Sequence, residues 1–286
     1  MPAFEELRFP SADKRLQLYT RLYPGHGPAI LMMHGLTRNS ADYEGLANHL
    51  AGRFKLVVPD QRGRGLSEYD PDPTNYLPAN YSADMLGLID QLGLERPILI
   101  GTSMGGLMAM IMATMRAGEF RGLVLNDVGP VVEKTGLDRI ASYVGAVQCI
   151  GSWEDAAEYC RRTNGYAFPG HGDAQWIAVA RRLFRSNADG LPELAYDAAI
   201  ATGLASSNSG AVPPDLWPIW QGLANVPVLA LRGALSDILS PDTLSRMARH
   251  HPGMQSVTVA GVGHAPMLDE PDALFAIDQF LGQFDG

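Results

Sequence analysis

Short apolar runs alternate with longer stretches of mixed polarity along most of the chain. The runs at 29–33, 55–59, 98–100, 123–125, 226–231 and 256–260 carry few or no charges and lead into Gly, Asp or Pro. Such runs suit strands covered on both faces, as in a parallel sheet. The stretches between them, at 40–51, 82–92, 104–117, 241–250 and 271–284, are long enough for crossover helices. Pro241 and Pro271 suit first-turn positions, preceded by Ser240 and Glu270. Strands alternating with helices predict an α/β fold, with a mostly parallel sheet and right-handed crossovers. The opening stretch, 7–23, reads as a hairpin-like edge turning at 11–14.

The rhythm breaks between 131 and 220. That region has no convincing buried strand, yet it holds all four Trp and both Cys. Turn clusters fall at 169–173, 206–210 and 212–214. It reads as a helical insertion between two core strands, with 1–130 and 221–286 forming the core. Its place in the order predicts a lid over the carboxyl ends of the strands, where open α/β sheets bind ligands.

Composition narrows the function classes. The chain has 286 residues, 46% hydrophobic and 19% charged, with a formal net charge of −9. These values fit a soluble globular protein. An acidic surface repels phosphate backbones and argues against a nucleic-acid partner. No run approaches the roughly 18 apolar residues that span a bilayer, so no membrane partner is expected. The first ten residues resemble neither a secretory leader nor an anchor. Cys149 and Cys160 are too few for a disulfide framework and read as reduced structural residues. A cytoplasmic location is expected.

The chemistry concentrates at strand ends. Gly101-Thr102-Ser103-Met104-Gly105 fits G-x-S-x-G, with a buried-strand pattern before it and a helix-like stretch after it. The pattern places a serine on a sharp strand-to-helix turn, where only small neighbours fit. It also sets the hydroxyl at a helix N-terminus, whose free N–H groups favour negative charge. Ser103 is the expected nucleophile, and the N–H of Met104 one donor to a developing oxyanion.

Serine needs a base. Of seven histidines, His264 follows the last strand in a glycine-flanked loop able to carry the ring back over the sheet. His26 and His49 read as surface residues, His250 and His251 as helix-end residues, His171 as a turn residue and His34 as structural. The base needs an orienting carboxylate. Asp237, after the strand around 226–231, is the preferred acid, and Ser103, Asp237 and His264 follow in the Ser-Asp-His order usual for this elbow. Asp127, after the run at 123–125, competes for the role.

His34-Gly35-Leu36 closes the strand at 29–33, and the N–H of Leu36 is the second expected oxyanion donor. Arg38, Asn39 and Thr102 are candidate substrate-binding residues. Arg161, Arg162, Arg181 and Arg182 read as solvated helix surface, and the methionines after Met104 as core. No metal site is expected.

The motifs HGL at 34–36, DQRGRGLS at 60–67, GTSMGG at 101–106, SD at 236–237 and GVGHAP at 261–266 occur in order. Together they resemble the alpha/beta-hydrolase family in its lid-bearing branch. The resemblance implies a Ser-Asp-His triad, no cofactor, and acyl transfer through an acyl-enzyme that water hydrolyses. Asp60, Arg62 and Ser67 resemble the family's structural turn. Ser103 stands where the family's haloalkane dehalogenases and epoxide hydrolases carry Asp. Thr102 and Ala265 stand where its carbon–carbon bond hydrolases usually carry Asn and Trp. The expected activity is hydrolysis of a carboxylic ester of a small or medium substrate. A lactonase, a thioesterase, a carbon–carbon bond hydrolase and a non-catalytic small-molecule receptor are the alternatives. A homodimer is conceivable.

Overall fold

A computed structural model describes residues 2–146, 150–205 and 215–284. The turn clusters at 206–210 and 212–214, and Cys149, lie outside the described residues. Ten strands and ten α-helices are described. The strands are β1 (Glu5–Pro10), β2 (Gln17–Tyr23), β3 (Gly25–Met33), β4 (Gly52–Asp60), β5 (Ile98–Thr102), β6 (Leu123–Asn126), β7 (Phe184–Ser186), β8 (Pro192–Leu194), β9 (Val228–Gly233) and β10 (Gln255–Val259). The helices are α1 (Glu44–Leu50), α2 (Pro78–Leu92), α3 (Met104–Met115), α4 (Lys134–Ala141), α5 (Trp153–Asn164), α6 (Asp173–Leu183), α7 (Ile200–Ala205), α8 (Trp217–Gly222), α9 (Pro241–His250) and α10 (Pro271–Gly282).

Eight strands form one sheet in the order β1-β2-β4-β3-β5-β6-β9-β10. The six from β4 to β10 pair in parallel, and β2 joins antiparallel to both β1 and β4. This is the alpha/beta-hydrolase fold, with helices on both faces of a mostly parallel sheet. Each apolar run is continuous because successive side chains feed opposite, equally covered faces. Leu31, Met33, Leu99, Leu125 and Ala230 join one cluster, packed with α2 and α3. Ile30, Met32, Ile100, Val124 and Leu231 join the other, packed with α1 and α10.

After β3 the chain steps outward to β4, and β5 then lies on the other flank of β3. Strand order therefore reverses between β3 and β5, and a crevice opens at their carboxyl ends. Leu36 and Ser103 follow those two strands directly.

The described residues of the segment 131–220 form helices α4 to α7, the start of α8 and a small antiparallel pair, β7 with β8. Each strand has only three residues and is partly exposed, so neither makes a buried apolar run. The segment has its own apolar cluster, in which Tyr159, Cys160, Trp176, Val179 and Leu183 join α5 to α6. Trp176 and Trp220 are almost fully buried. Backbone hydrogen bonds fasten the segment to loops of the sheet: Gly263 N–H donates to Ala167 O at 2.7 Å, and Gly65 N–H to Ala195 O at 2.7 Å. Among the described residues, no helix is long and apolar enough to cross a membrane.

Candidate active site

Ser103 connects β5 to α3 with φ 52° and ψ −115°. A positive φ is uncommon for a residue with a side chain and costs on the order of 1–3 kcal/mol. The turn is held by Ser103 N–H, which donates to Asn126 O, and by Ser103 O, which accepts from Gly106 and Leu107. The flanking glycines are required sterically. A Cβ on Gly105 would collide with the carbonyl of Met33, and one on Gly101 with the backbone of Gly105.

The turn aims the Ser103 hydroxyl at His264, with Oγ 2.9 Å from Nε2. The other ring nitrogen, Nδ1, lies 2.7 Å from Oδ2 of Asp127. The carboxylate only accepts, so Nδ1 carries the ring proton and Nε2 accepts from the serine hydroxyl. Tyr166, next to Ala167, donates its hydroxyl to the His264 carbonyl at 3.0 Å and so steadies the histidine loop.

The acid beside the histidine is therefore Asp127, and the expectation of Asp237 is corrected. Asp127 leaves β6 with φ 57°, a left-handed conformation that aspartate tolerates better than most residues. Its carboxylate is fully buried. Oδ1 accepts from Gly233 N–H at 2.8 Å, and Oδ2 accepts from the Ser236 hydroxyl at 2.6 Å as well as from His264. In the turn after β9, then, Ser236 faces the histidine–acid pair, while its neighbour Asp237 faces α4. There Asp237 forms a two-pronged pair with Arg139 at 2.6 and 2.9 Å. Burial raises the Asp237 carboxyl, but the Arg139 bonds outweigh it and hold the group below its ordinary range.

The N–H groups of Leu36 and Met104 make no hydrogen bond among the described residues, and both residues border Ser103. Arg64 lies behind them. Its guanidinium is fully buried, and no carboxylate lies within ion-pair distance among the described residues. It donates from Nε to the Leu36 carbonyl at 2.8 Å, from Nη1 to the Arg62 carbonyl at 2.8 Å, and from Nη2 toward Met104 Sδ at 3.8 Å. The Tyr81 ring lies 4.7 Å from its centre. His34 is buried with Nδ1 2.7 Å from Gly35 O, while Nε2 accepts Gln61 N–H at 3.0 Å. Burial pushes its pKa down to about 4, so the ring is neutral and structural. Asp60 and Ser67 fix the turn after β4. Asp60 accepts from Ser40 and Leu66 N–H, and the Ser67 hydroxyl donates to the Asp60 carbonyl. Arg62 bridges buried Asp70 and Asp84.

Two cavities meet at Ser103. The first is of mixed polarity and is bordered by His264, Arg38, Asp42, Thr37, Tyr143 and Asn164. The second is apolar, with walls from Leu107, Val128, Leu137, Ile140, Ile200 and Ile238. Arg38 thus borders a cavity, where it clamps Asp42 through two hydrogen bonds at 2.5 and 2.8 Å. Burial raises the Asp42 carboxyl, but Arg38 keeps it below its ordinary range. Thr102 borders the same cavity, and its Oγ1 accepts from Asn126 Nδ2 and pairs with the Tyr43 hydroxyl. Asn39 does not fit the expected binding role. Its oxygen caps the short helical turn Ser40–Tyr43 and its amide donates to Arg182 O, so both side-chain groups are occupied by the protein. Among the described residues, no group of three or more His, Cys, Asp or Glu is placed to hold a metal ion.

Residues 30–277 match the alpha/beta hydrolase family, and the chain belongs to it. Its sequence is 33% identical over 263 residues to the 3-hydroxybutyrate-oligomer hydrolase of Cupriavidus necator, covering 90% of this chain and 89% of that protein. It is 31% identical over 261 residues to the 2-(acetamidomethylene)succinate hydrolase of Mesorhizobium japonicum, with 90% and 89% covered. Among solved structures, an alpha/beta hydrolase from Novosphingobium aromaticivorans superposes with a TM-score of 0.93 at 40% identity, covering 99% of each chain. The protein is a hydrolase.

Sequence reasoning missed three residues around the site: Ser236, Arg139 and Tyr166. Ser236 stands beside Asp237 in a short turn, and only the direction of each side chain separates them. Arg139 and Tyr166 come from the segment 131–220, whose approach to the sheet has no sequence signature.

Proposed function

We propose that the protein is a carboxylic ester hydrolase in which Ser103 is the nucleophile, His264 the general base and Asp127 the residue that orients it. The observation that carries this reading is the unbroken hydrogen-bond chain Asp127–His264–Ser103 beside the two unpaired N–H groups of Leu36 and Met104. Ser103 attacks the ester carbonyl as its proton passes to Nε2 of His264. The N–H groups of Leu36 and Met104 receive the oxyanion. The C–O bond then breaks, His264 protonates the leaving alcohol, and water hydrolyses the acyl-enzyme by the same route. The segment 131–220 serves as a lid that excludes bulk water and shapes the substrate cavities.

The relative from Cupriavidus necator supports an ester over a thioester or a carbon–carbon bond. Its name gives an oligomer of a hydroxy acid as substrate, and hydroxy acids joined head to tail are esters. The test is turnover of p-nitrophenyl esters from acetate to octanoate by wild type and Ser103→Ala in parallel. Turnover by wild type that disappears in the variant is expected. A folded wild type inactive on every ester, or a variant as active as wild type, would overturn the reading.

A further inference from the structure

We propose that the two cavities divide the substrate at its scissile bond: the apolar cavity takes the acyl chain and the mixed cavity takes the alcohol. This rests on the ester-hydrolase reading above. Ser103 borders both cavities, but His264 borders only the mixed one and Met104 only the apolar one. When the tetrahedral adduct collapses, the bond between the carbonyl carbon and the alcohol oxygen breaks. The proton on Nε2 of His264 passes to that oxygen. The departing alcohol must therefore lie on the side of His264, in the cavity bordered by Arg38, Asp42 and Asn164. The acyl group remains bonded to Ser103 and extends the other way, past Met104 and Leu107 to Leu137, Ile200 and Ile238.

The linings define the substrate class. The apolar cavity offers mostly aliphatic walls beside the Tyr76 and Tyr81 rings and no ionised side chain, so its occupant is an uncharged, largely hydrocarbon acyl chain. A charged chain there would lose its water without an ionised partner. The mixed cavity offers the Arg38–Asp42 pair and the side-chain oxygen of Asn164, whose amide nitrogen donates to Cys160 O and Thr163 Oγ1; this polar lining suits an alcohol with hydrogen-bonding groups of its own. The substrate class is an ester joining an aliphatic acid to a polar alcohol. Leu137, in α4, also places part of the acyl-length selection on the segment 131–220.

Two ester series separate the halves. In one, the alcohol is p-nitrophenol and the acyl chain runs from acetyl to octanoyl. In the other, the acyl group is butyryl and the alcohol is ethanol, ethylene glycol or hexanol, followed by acid release. Leu137→Trp is expected to lower the octanoate-to-acetate ratio of kcat/KM by about tenfold or more, the scale on which an apolar pocket discriminates chain length. It should leave the order of the alcohols unchanged. Leu137→Ala is expected to move the acyl optimum to longer chains, a readout that survives if the bulky variant fails to fold. Asn164→Leu should remove the preference for ethylene glycol over hexanol and leave the acyl ratio unchanged. Leu137 variants that reorder the alcohols, or Asn164→Leu altering the acyl ratio instead, would overturn the assignment while ester hydrolysis stood. Absence of wild-type turnover in both series would remove both readings.

Discussion

Replacing Asp127 by asparagine changes one atom in a site where every hydrogen bond has an assigned direction. In the native protein Oδ1 accepts from Gly233 N–H, while Oδ2 accepts from both the Ser236 hydroxyl and His264 Nδ1. The asparagine oxygen must keep the contact with Gly233, because that N–H is buried and has nowhere else to donate. The new amide NH2 then faces His264, and Nδ1 becomes an acceptor. The ring proton moves to Nε2, which can no longer take the proton of Ser103. Loss of an orienting aspartate in such a triad lowers kcat by on the order of 10⁴, which is about 5 kcal/mol of barrier. Asp237→Asn is the informative control. Asp237 and Arg139 keep 20% and 22% of their side-chain surface in solvent, so their pair contributes about 1 kcal/mol or less to stability. Asp237 also interacts electrostatically with the His264 ring from a distance, so a small loss of kcat, within about tenfold, is expected. The assay is kcat and kcat/KM on a p-nitrophenyl ester, with thermal melts to show that both variants are folded. An Asp127→Asn enzyme near wild-type activity beside a dead Asp237→Asn enzyme would return the acid to Asp237.

Three further outcomes follow from the same geometry. The unfolded chain protonates His34 near its ordinary value of 6.5 and the native chain only at about 4, so between these values the unfolded state binds more protons and stability falls as pH drops. That contribution reaches about 3 kcal/mol at pH 4, and urea melts of wild type and His34→Asn from pH 4 to 7 should show the wild-type slope exceeding the variant's over this window. Gly105→Ala forces a methyl group into the Met33 carbonyl and should lower stability by about 3 kcal/mol or more, read as the urea midpoint. Arg64→Met leaves the Leu36 carbonyl without its donor and loosens the oxyanion donors; kcat should fall by about tenfold or more with KM little changed, whereas an equal rise in KM alone would assign Arg64 to substrate binding instead.

The sheet was legible in the sequence because its strands are covered on both faces. All six apolar runs from 29–33 to 256–260 overlap parallel strands, and Pro241 and Pro271 do open helices α9 and α10. The elbow was legible for a related reason: Gly101 and Gly105 leave no room for a Cβ, so steric necessity is written as residue type. The acid was not. Asp127 and Asp237 both follow a core strand and both fall between Ser103 and His264, so chain order does not separate them. What separates them is the direction of two neighbouring side chains, Ser236 and Asp237, and the arrival of Arg139 from α4 to claim the second. Asn39 was misread because a helix-capping amide and a binding amide look alike until their partners are known. The β7–β8 pair escaped notice because strands of three residues are too short to make a periodic signal.

Rapid-quench mass spectrometry during turnover of a p-nitrophenyl ester would catch the acyl-enzyme on Ser103 itself. The expected result is a protein heavier by one acyl group, with the added mass on the peptide that contains Ser103 and none in Ser103→Ala. Turnover with no acylated protein at any quench time under excess substrate, or acylation on another residue, would contradict it.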